Sequence, residues 1–303
     1  MRVGITYLYT IFRYGYPHSA ADALQSLAEI RKLGFHFLEM EGLGAAHMRA
    51  VSRSRRRFRQ TLDDNGLHVH NFCVVDPDLV SLDARRRARA LEVFKLGAEV
   101  ADYFGSETLH LASYAPPVRY VKAKPYQLSP GSKYQFTSRT EIRIPPNFDW
   151  PRVWDALVAS CQVCADIAGS RTVLMEPRVG ETICSVDSLL RLIADVGRPN
   201  FKANFDTGHF SAQRENVVLA LMKLRGRFAN IHISDNDPAN AEHLPIGEGT
   251  IDWPEFFRVL KTLGYNGYLG LDLGTGRGLV RGYKVSLERL TALARDLDIP
   301  LEY

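Results

Sequence analysis

The chain has 303 residues, 46% of them hydrophobic and 24% charged, with a formal net charge of +4. That balance is globular and excludes a disordered chain, and no apolar run reaches the length a membrane-spanning helix needs. The opening MRVGITYLYT lacks a secretory signature, and Cys73, Cys161, Cys164 and Cys184 are too few and too scattered for a disulfide framework, so a cytoplasmic protein is expected.

Runs of strand type alternate with helix-type segments along the chain, the pattern of a parallel sheet with crossover helices. The first strand is read at Val3 to Tyr7 and the second at Phe35 to Met40, after an amphipathic helix near Ala20 to Leu33. The third, His68 to Cys73, follows a helix carrying SRSRRRFRQ, Ser52 to Gln60, and a stop at Asn65-Gly66. This arginine run holds most of the excess positive charge and reads as a solvated helix face, which argues against a nucleic-acid partner. The fourth strand, Thr108 to Ala112, follows a long helix from Asp83 to Phe104.

Next comes a Tyr-, Pro-, Lys- and Arg-rich stretch, 114–149, too long for an ordinary loop. It is expected to be a lid or a docking surface for another subunit, with TSRTEIRIP inside it able to form strands. Cys161 and Cys164 lie on a helical segment and read as core. Strands five to eight follow at Thr172 to Met175, Phe201 to Phe205, Ala229 to Ile233 and Tyr268 to Leu273, the last after a helix begun at Asp252-Trp253-Pro254-Glu255. Eight strands with intervening helices predict a (β/α)8 TIM barrel, one domain spanning 1–303 with its insertion after strand four.

Chemistry gathers at the ends of the later strands. VLMEP gives Glu176, FKANFDTGHF gives Asp206 and His209, NIHIS gives His232, and YLGLDL gives Asp272. A single acid at a strand end is more often a helix cap than a ligand. Four consecutive strands repeating the pattern is different, because in a barrel those ends converge on one mouth. Glu176, Asp206, His232 and Asp272 are therefore predicted to hold one divalent metal. Mn²⁺ suits the carboxylate-rich set best, with Mg²⁺, Co²⁺, Zn²⁺ and Fe²⁺ as alternatives.

These motifs, with HLPIGEGTIDWPEFF and GYNGYLGLDL, resemble the xylose-isomerase-like TIM barrels, the superfamily of sugar phosphate isomerases and epimerases. The resemblance runs from LAEIRKLGFHFLEME to the C-terminus and is weakest at 114–149. It implies that Glu176, Asp206, His232 and Asp272 are the metal ligands of the epimerase branch, in which the strand-five and strand-eight acids also move the substrate proton. Asp272 stands where that branch usually has Glu, one methylene longer, and this puts two-base epimerisation in doubt. The endonuclease IV branch holds three zinc ions, and His70, His110, His209 and His243 match positions used there. It also needs an Asp where this chain has Ala241, so an AP-endonuclease reading ranks last.

The expectation is thus an isomerase or epimerase acting on a non-phosphorylated keto-sugar by α-proton abstraction and a metal-stabilised enediolate. No Gly-rich phosphate loop stands at a strand-helix junction. Glu176, Asp272 and His110 are assigned to catalysis, and His209, Arg178, Glu39, His70 and His243 to substrate contact, with Glu41 beside Glu39 read in the same way. The alternative is a lyase of the C-glycoside deglycosidase catalytic-subunit branch, which eliminates the aglycone from a 3-oxo-glycoside with a small partner subunit. A homo-oligomer, or such a partner docked through 114–149, is expected.

Overall fold

In the computed structural model, the described residues are 1–121, 126–129, 133–136, 140–238, 242–274 and 278–303. The strands are β1 (Arg2–Ile5), β2 (Phe37–Leu43), β3 (His68–Val75), β4 (Thr108–Ala112), β5 (Thr172–Glu176), β6 (Phe201–Asp206), β7 (Phe228–Ile233) and β8 (Tyr268–Leu271). They close into a barrel in the order β1-β8-β7-β6-β5-β4-β3-β2, with β2 paired back to β1. Every neighbouring pair is parallel, as the alternation of strands and helices predicts.

The helices are α1 (Leu8–Tyr14), α2 (Ala20–Lys32), α3 (Gly44–Asp64), α4 (Ala84–Phe104), α5 (Trp150–Ala168), α6 (Val186–Val196), α7 (Thr207–Ala212), α8 (Val217–Lys223), α9 (Trp253–Thr262) and α10 (Leu279–Asp296). Their ends follow local chemistry. Ser19 and Asp22 form a capping box on α2, and Asp83 caps α4 by accepting from the Arg85 and Arg86 amides. Gly66 closes α3 at φ +59°, a left-handed position that costs a residue without Cβ little. On α3 itself Met48, Val51, Phe58 and Leu62 are buried while Arg53, Arg55, Arg56 and Arg57 are exposed, so the arginine run is a solvent face.

Alternation along each strand separates core from site. Leu109, Leu111, Val173, Phe205, Ile231 and Ile233 are buried in the main hydrophobic cluster, and the residues between them point into the barrel. Cys161 and Cys164 are free and buried on α5, within that cluster. No helix among the described residues is long and apolar enough to cross a membrane.

Within the insertion after β4, Arg119–Tyr120 pairs antiparallel with Ile142–Arg143, and Tyr126–Ser129 pairs with Lys133–Phe136. Strand is thus present where TSRTEIRIP predicts it, at Ile142–Arg143. Residues 122–125, 130–132 and 137–139, part of the segment expected to be a lid or docking surface, lie outside the described set. Position 241 is also outside it.

Candidate metal centre

Asp206 ends β6 and performs two tasks with its two oxygens. Oδ1 accepts from the His209 amide at 2.8 Å and so caps α7. Oδ2 is left 3.6 Å from His232 Nδ1, beyond hydrogen-bonding distance. The turn that allows this requires Gly208, where a Cβ would sit 2.6 Å from Ser234 Oγ and 3.4 Å from Asp206 Oδ1. The cap and the ligand readings of Asp206 are therefore compatible.

His232 is paired in register with Asp206 across β6 and β7 and with Gly270 across β7 and β8. A Cβ at position 270 would approach His232 Cδ2 to 3.3 Å and Thr6 Cγ2 to 2.9 Å, so glycine makes room for the imidazole. The ring's Nδ1 lies 2.7 Å from Glu176 Oε1, and its Nε2 lies 3.0 Å from each oxygen of Glu39. A carboxylate only accepts, so Nε2 carries the proton and Nδ1 turns toward Glu176 and Asp206. Glu176, Asp206 and His232, all buried, thus present ligand atoms within 4.8 Å of one another.

Burial opposes charge on His232, but the Glu39 and Glu176 carboxylates outweigh it and raise the imidazole well above its ordinary pKa. Burial likewise works against Glu176, and the charges of His110 and His232 overcome it, holding this carboxyl at about 2. Asp206 is also held down, against its burial, chiefly by His209. The centre is a buried carboxylate-rich cage that demands positive charge, and the oxygen and imidazole donors facing inward suit a divalent cation.

Around this cluster runs a belt of amides. Asn204 donates to Glu176 Oε1 at 2.9 Å, Asn230 donates to Asn204 Oδ1 and to Glu39 Oε1 at 3.0 Å each, and Asn71 donates to Glu39 Oε1 at 3.0 Å. Thr108 Oγ1 donates to Asn71 Oδ1 at 2.8 Å, which fixes the orientation of that amide. Its Nδ2 then faces His110 Nδ1 at 3.3 Å, so Nδ1 accepts and Nε2 carries the hydrogen. His110 Nε2 points toward Glu176 Oε2 at 3.8 Å, and burial lowers the pKa of this ring.

The neighbouring cleft is lined by Glu176, Asp272, His209 and Arg178 together with Tyr7, Tyr16 and Glu41. Asp272 lies one residue beyond β8, where its Oδ1 accepts from Thr6 Oγ1 at 2.5 Å and its Oδ2 meets His243 Nδ1 at 2.9 Å. Asp206, His209 and His243 form a second group with ligand atoms within 4.8 Å. Arg178 also pairs with Glu181 at 3.7 Å.

Three residues expected to contact substrate are placed differently. Glu39 has a side chain with 0% exposure, and its carboxylate accepts from His70, Asn71, Asn230 and His232. Both of its oxygens meet His232 Nε2, so it orients that ring. His70 donates to that same carboxylate at 3.1 Å and stacks on Tyr268, at the start of β8, with ring centroids 4.1 Å apart. His243 is fully buried behind Asp272, with its backbone at φ +51°.

The residues missed on reading the sequence are Thr6, Tyr7, Tyr16, His18 and the three asparagines. A signal for two asparagines was present: Asn204 and Asn230 each stand two residues before a predicted ligand, hence on the same inward face.

The comparisons with known proteins agree with this architecture. Fructoselysine 3-epimerase of Escherichia coli O157:H7 is 29% identical over 133 residues, 43% of this chain; the chain spans about half of that relative, 48%. L-ribulose-5-phosphate 3-epimerase UlaE of Escherichia coli (strain SMS-3-5 / SECEC) is 25% identical over 251 residues, 80% of this chain and 79% of that one. The crystal structure of a D-tagatose 3-epimerase-like protein superposes with a TM-score of 0.73 at 19% identity, covering 98% of this chain and 100% of that one. A family model described as the xylose isomerase-like TIM barrel matches residues 27–293, and the chain belongs to that family.

Proposed function

We propose that the protein is a divalent-metal-dependent isomerase or epimerase acting on a non-phosphorylated keto-sugar. The observation that carries this reading is the convergence of buried Glu176, Asp206 and His232 beside a cleft that Glu176, Asp272, His209 and Arg178 line. Two relatives named as 3-epimerases support inversion at a carbon next to a carbonyl. The acidic lining supports a neutral sugar over a phosphorylated one: Glu41, Glu176 and Asp272 face the cleft, and its arginine, Arg178, already has Glu181 as a partner.

In this reading Glu176, Asp206, His232 and Asp272 hold the ion, Mn²⁺ fitting the donor set best. A divalent ion held there would supply a Lewis acid for the substrate carbonyl oxygen. Glu176 takes the α-proton, held by Asn204 so that its carboxylate stays aimed. His110, neutral with its Nε2 hydrogen toward Glu176, donates to a substrate oxygen, and His209 and Arg178 bind hydroxyls from the cleft wall.

The test is to load metal-stripped protein with Mn²⁺ and incubate it in D₂O with keto-sugars and with 3-oxo-glycosides. Deuterium at the carbon beside the carbonyl, with an epimer or isomer formed, is the expected result. Release of an aglycone would move the assignment to a lyase. Absence of both metal binding and exchange would sink it.

The role given to Glu39 makes a separate prediction. A carboxylate that orients a ligating imidazole commonly contributes about 10–100-fold in metal affinity. Glu39→Gln should therefore weaken Mn²⁺ binding by about that factor in a chelator competition. Unchanged affinity would remove Glu39 from the site's support.

A further inference from the structure

Glu41 lies two residues beyond Glu39 on the same face of β2, at the level of the cleft. Its Oε1 meets His18 Nε2 at 2.7 Å, and both side chains are 2% exposed. The other ring nitrogen of His18, Nδ1, lies 3.2 Å from the Ser19 carbonyl oxygen. A carbonyl only accepts, so Nδ1 carries a hydrogen and the Nε2–Oε1 contact holds one proton between an acid and a base. None of the roles assigned above uses His18 or a proton held by this pair. It is a buried acid–base pair with Glu41 on the wall of the cleft.

The position of the pair matches a need. Inversion at a carbon beside a carbonyl requires proton removal from one face of the planar enediolate and proton delivery to the other. Glu176 is on β5 and Glu41 on β2, with β4 and β3 between them in the closed order, so the two acids reach the cleft from separate walls. Asp272, the other acid of the cleft, is a proposed ligand of the ion and is engaged besides by Thr6 and His243. Glu41 has one oxygen on His18 and itself lines the cleft.

We infer that Glu41, backed by His18, is the second acid/base of the reaction. The inference rests on the epimerase reading and concerns the same cleft. In one direction Glu176 takes the α-proton, the C–H pair becomes the C=C of the enediolate and the carbonyl pair moves onto oxygen. The proton shared by Glu41 and His18 passes from Glu41 to the opposite face of that carbon, the C=C pair forms the new C–H bond and the carbonyl closes again. Glu176 is left protonated and the Glu41–His18 pair one proton short, and exchange with water restores both. The reverse reaction uses the same two groups in exchanged roles.

The test separates exchange from inversion. Mn²⁺-loaded wild type, Glu41→Gln, His18→Gln and Asp272→Asn are incubated with D-fructose, D-tagatose and L-ribulose in D₂O, and deuterium in recovered substrate is compared with epimer formed. With Glu41→Gln, Glu176 still removes and returns the proton on its own face, so deuterium continues to enter the starting sugar while epimer formation falls by about 10²-fold or more. His18→Gln keeps a hydrogen-bond donor on Glu41 but cannot resupply a proton, and the ratio of epimer to exchange should fall by about tenfold. Three outcomes overturn the assignment: inversion at the wild-type rate in Glu41→Gln, equal loss of exchange and inversion in both the Glu41 and His18 variants, or the split appearing in Asp272→Asn instead. A wild-type protein that exchanges none of these sugars removes the enediolate reading itself, and this assignment with it.

Discussion

Glu176→Gln is expected to reduce turnover by about 10³-fold or more while leaving thermal unfolding close to that of the wild type. The magnitude follows from the number of tasks placed on one carboxylate. It is a proposed ligand, it meets His232 Nδ1 at 2.7 Å, it faces His110 Nε2 at 3.8 Å, and it is the proposed α-proton acceptor. Glutamine keeps the shape and can still accept from Asn204 at Oε1, the contact that holds the side chain in place. Its nitrogen can neither accept a proton nor serve as a carboxylate ligand. A further consequence is electrostatic: His232 is held protonated partly by Glu176, so the amide should lower the pKa of that imidazole in metal-free protein. Full activity in this variant would refute the catalytic assignment. Lost activity with an unfolded protein would be uninformative, so the measurement pairs kcat with a thermal melt and a metal determination.

The barrel was legible because its signals are local and repeated. Strand-type runs, caps at Asp83 and Asp252, and the Gly66 stop depend on residues close in sequence, and β4 falls at its predicted limits. The candidate ligands were legible for the same reason. Each stands at or next to a strand end, and a closed barrel leaves those ends one place to meet. Depth inside the barrel is another matter. Glu39 and Glu41 have the same period-two direction, yet Glu39 sits below His232 with its carboxylate filled, and Glu41 reaches the cleft. No pattern along β2 distinguishes the two levels. Register is the other hidden quantity. Leu38 pairs with Val69 but Glu39 pairs with Asn71, so the partner strand carries His70 as an extra residue at an irregularity. His70 and Asn71, neighbours that strict alternation would send to opposite faces, both donate to Glu39. Depth and register are thus what set Glu39 and His70 apart from the cleft-lining residues.

The same distinction sets the expected behaviour of His209. This imidazole lines the cleft and is fully buried, and burial lowers its pKa to about 4 despite the nearby Asp206 charge. At neutral pH it is therefore an uncharged ring, suited to hydrogen bonding with a sugar hydroxyl and without its own demand for a counter-charge. Its ring also packs against that of His243, with centroids 4.8 Å apart, and with Asp206 the three have the geometry of a second cation site. The one-ion reading gives His243, whose Nδ1 faces Asp272 Oδ2 at 2.9 Å, the role of a brace for that acid. His209→Ala should consequently raise KM for the keto-sugar by about tenfold or more, with a smaller change in kcat and with the bound-metal stoichiometry unchanged. The Asp206 cap survives in this variant, because Oδ1 accepts from the backbone amide of residue 209 and not from its ring. A fall in metal stoichiometry on losing the ring, with the fold intact, would instead make His209 a ligand and the centre larger than one ion.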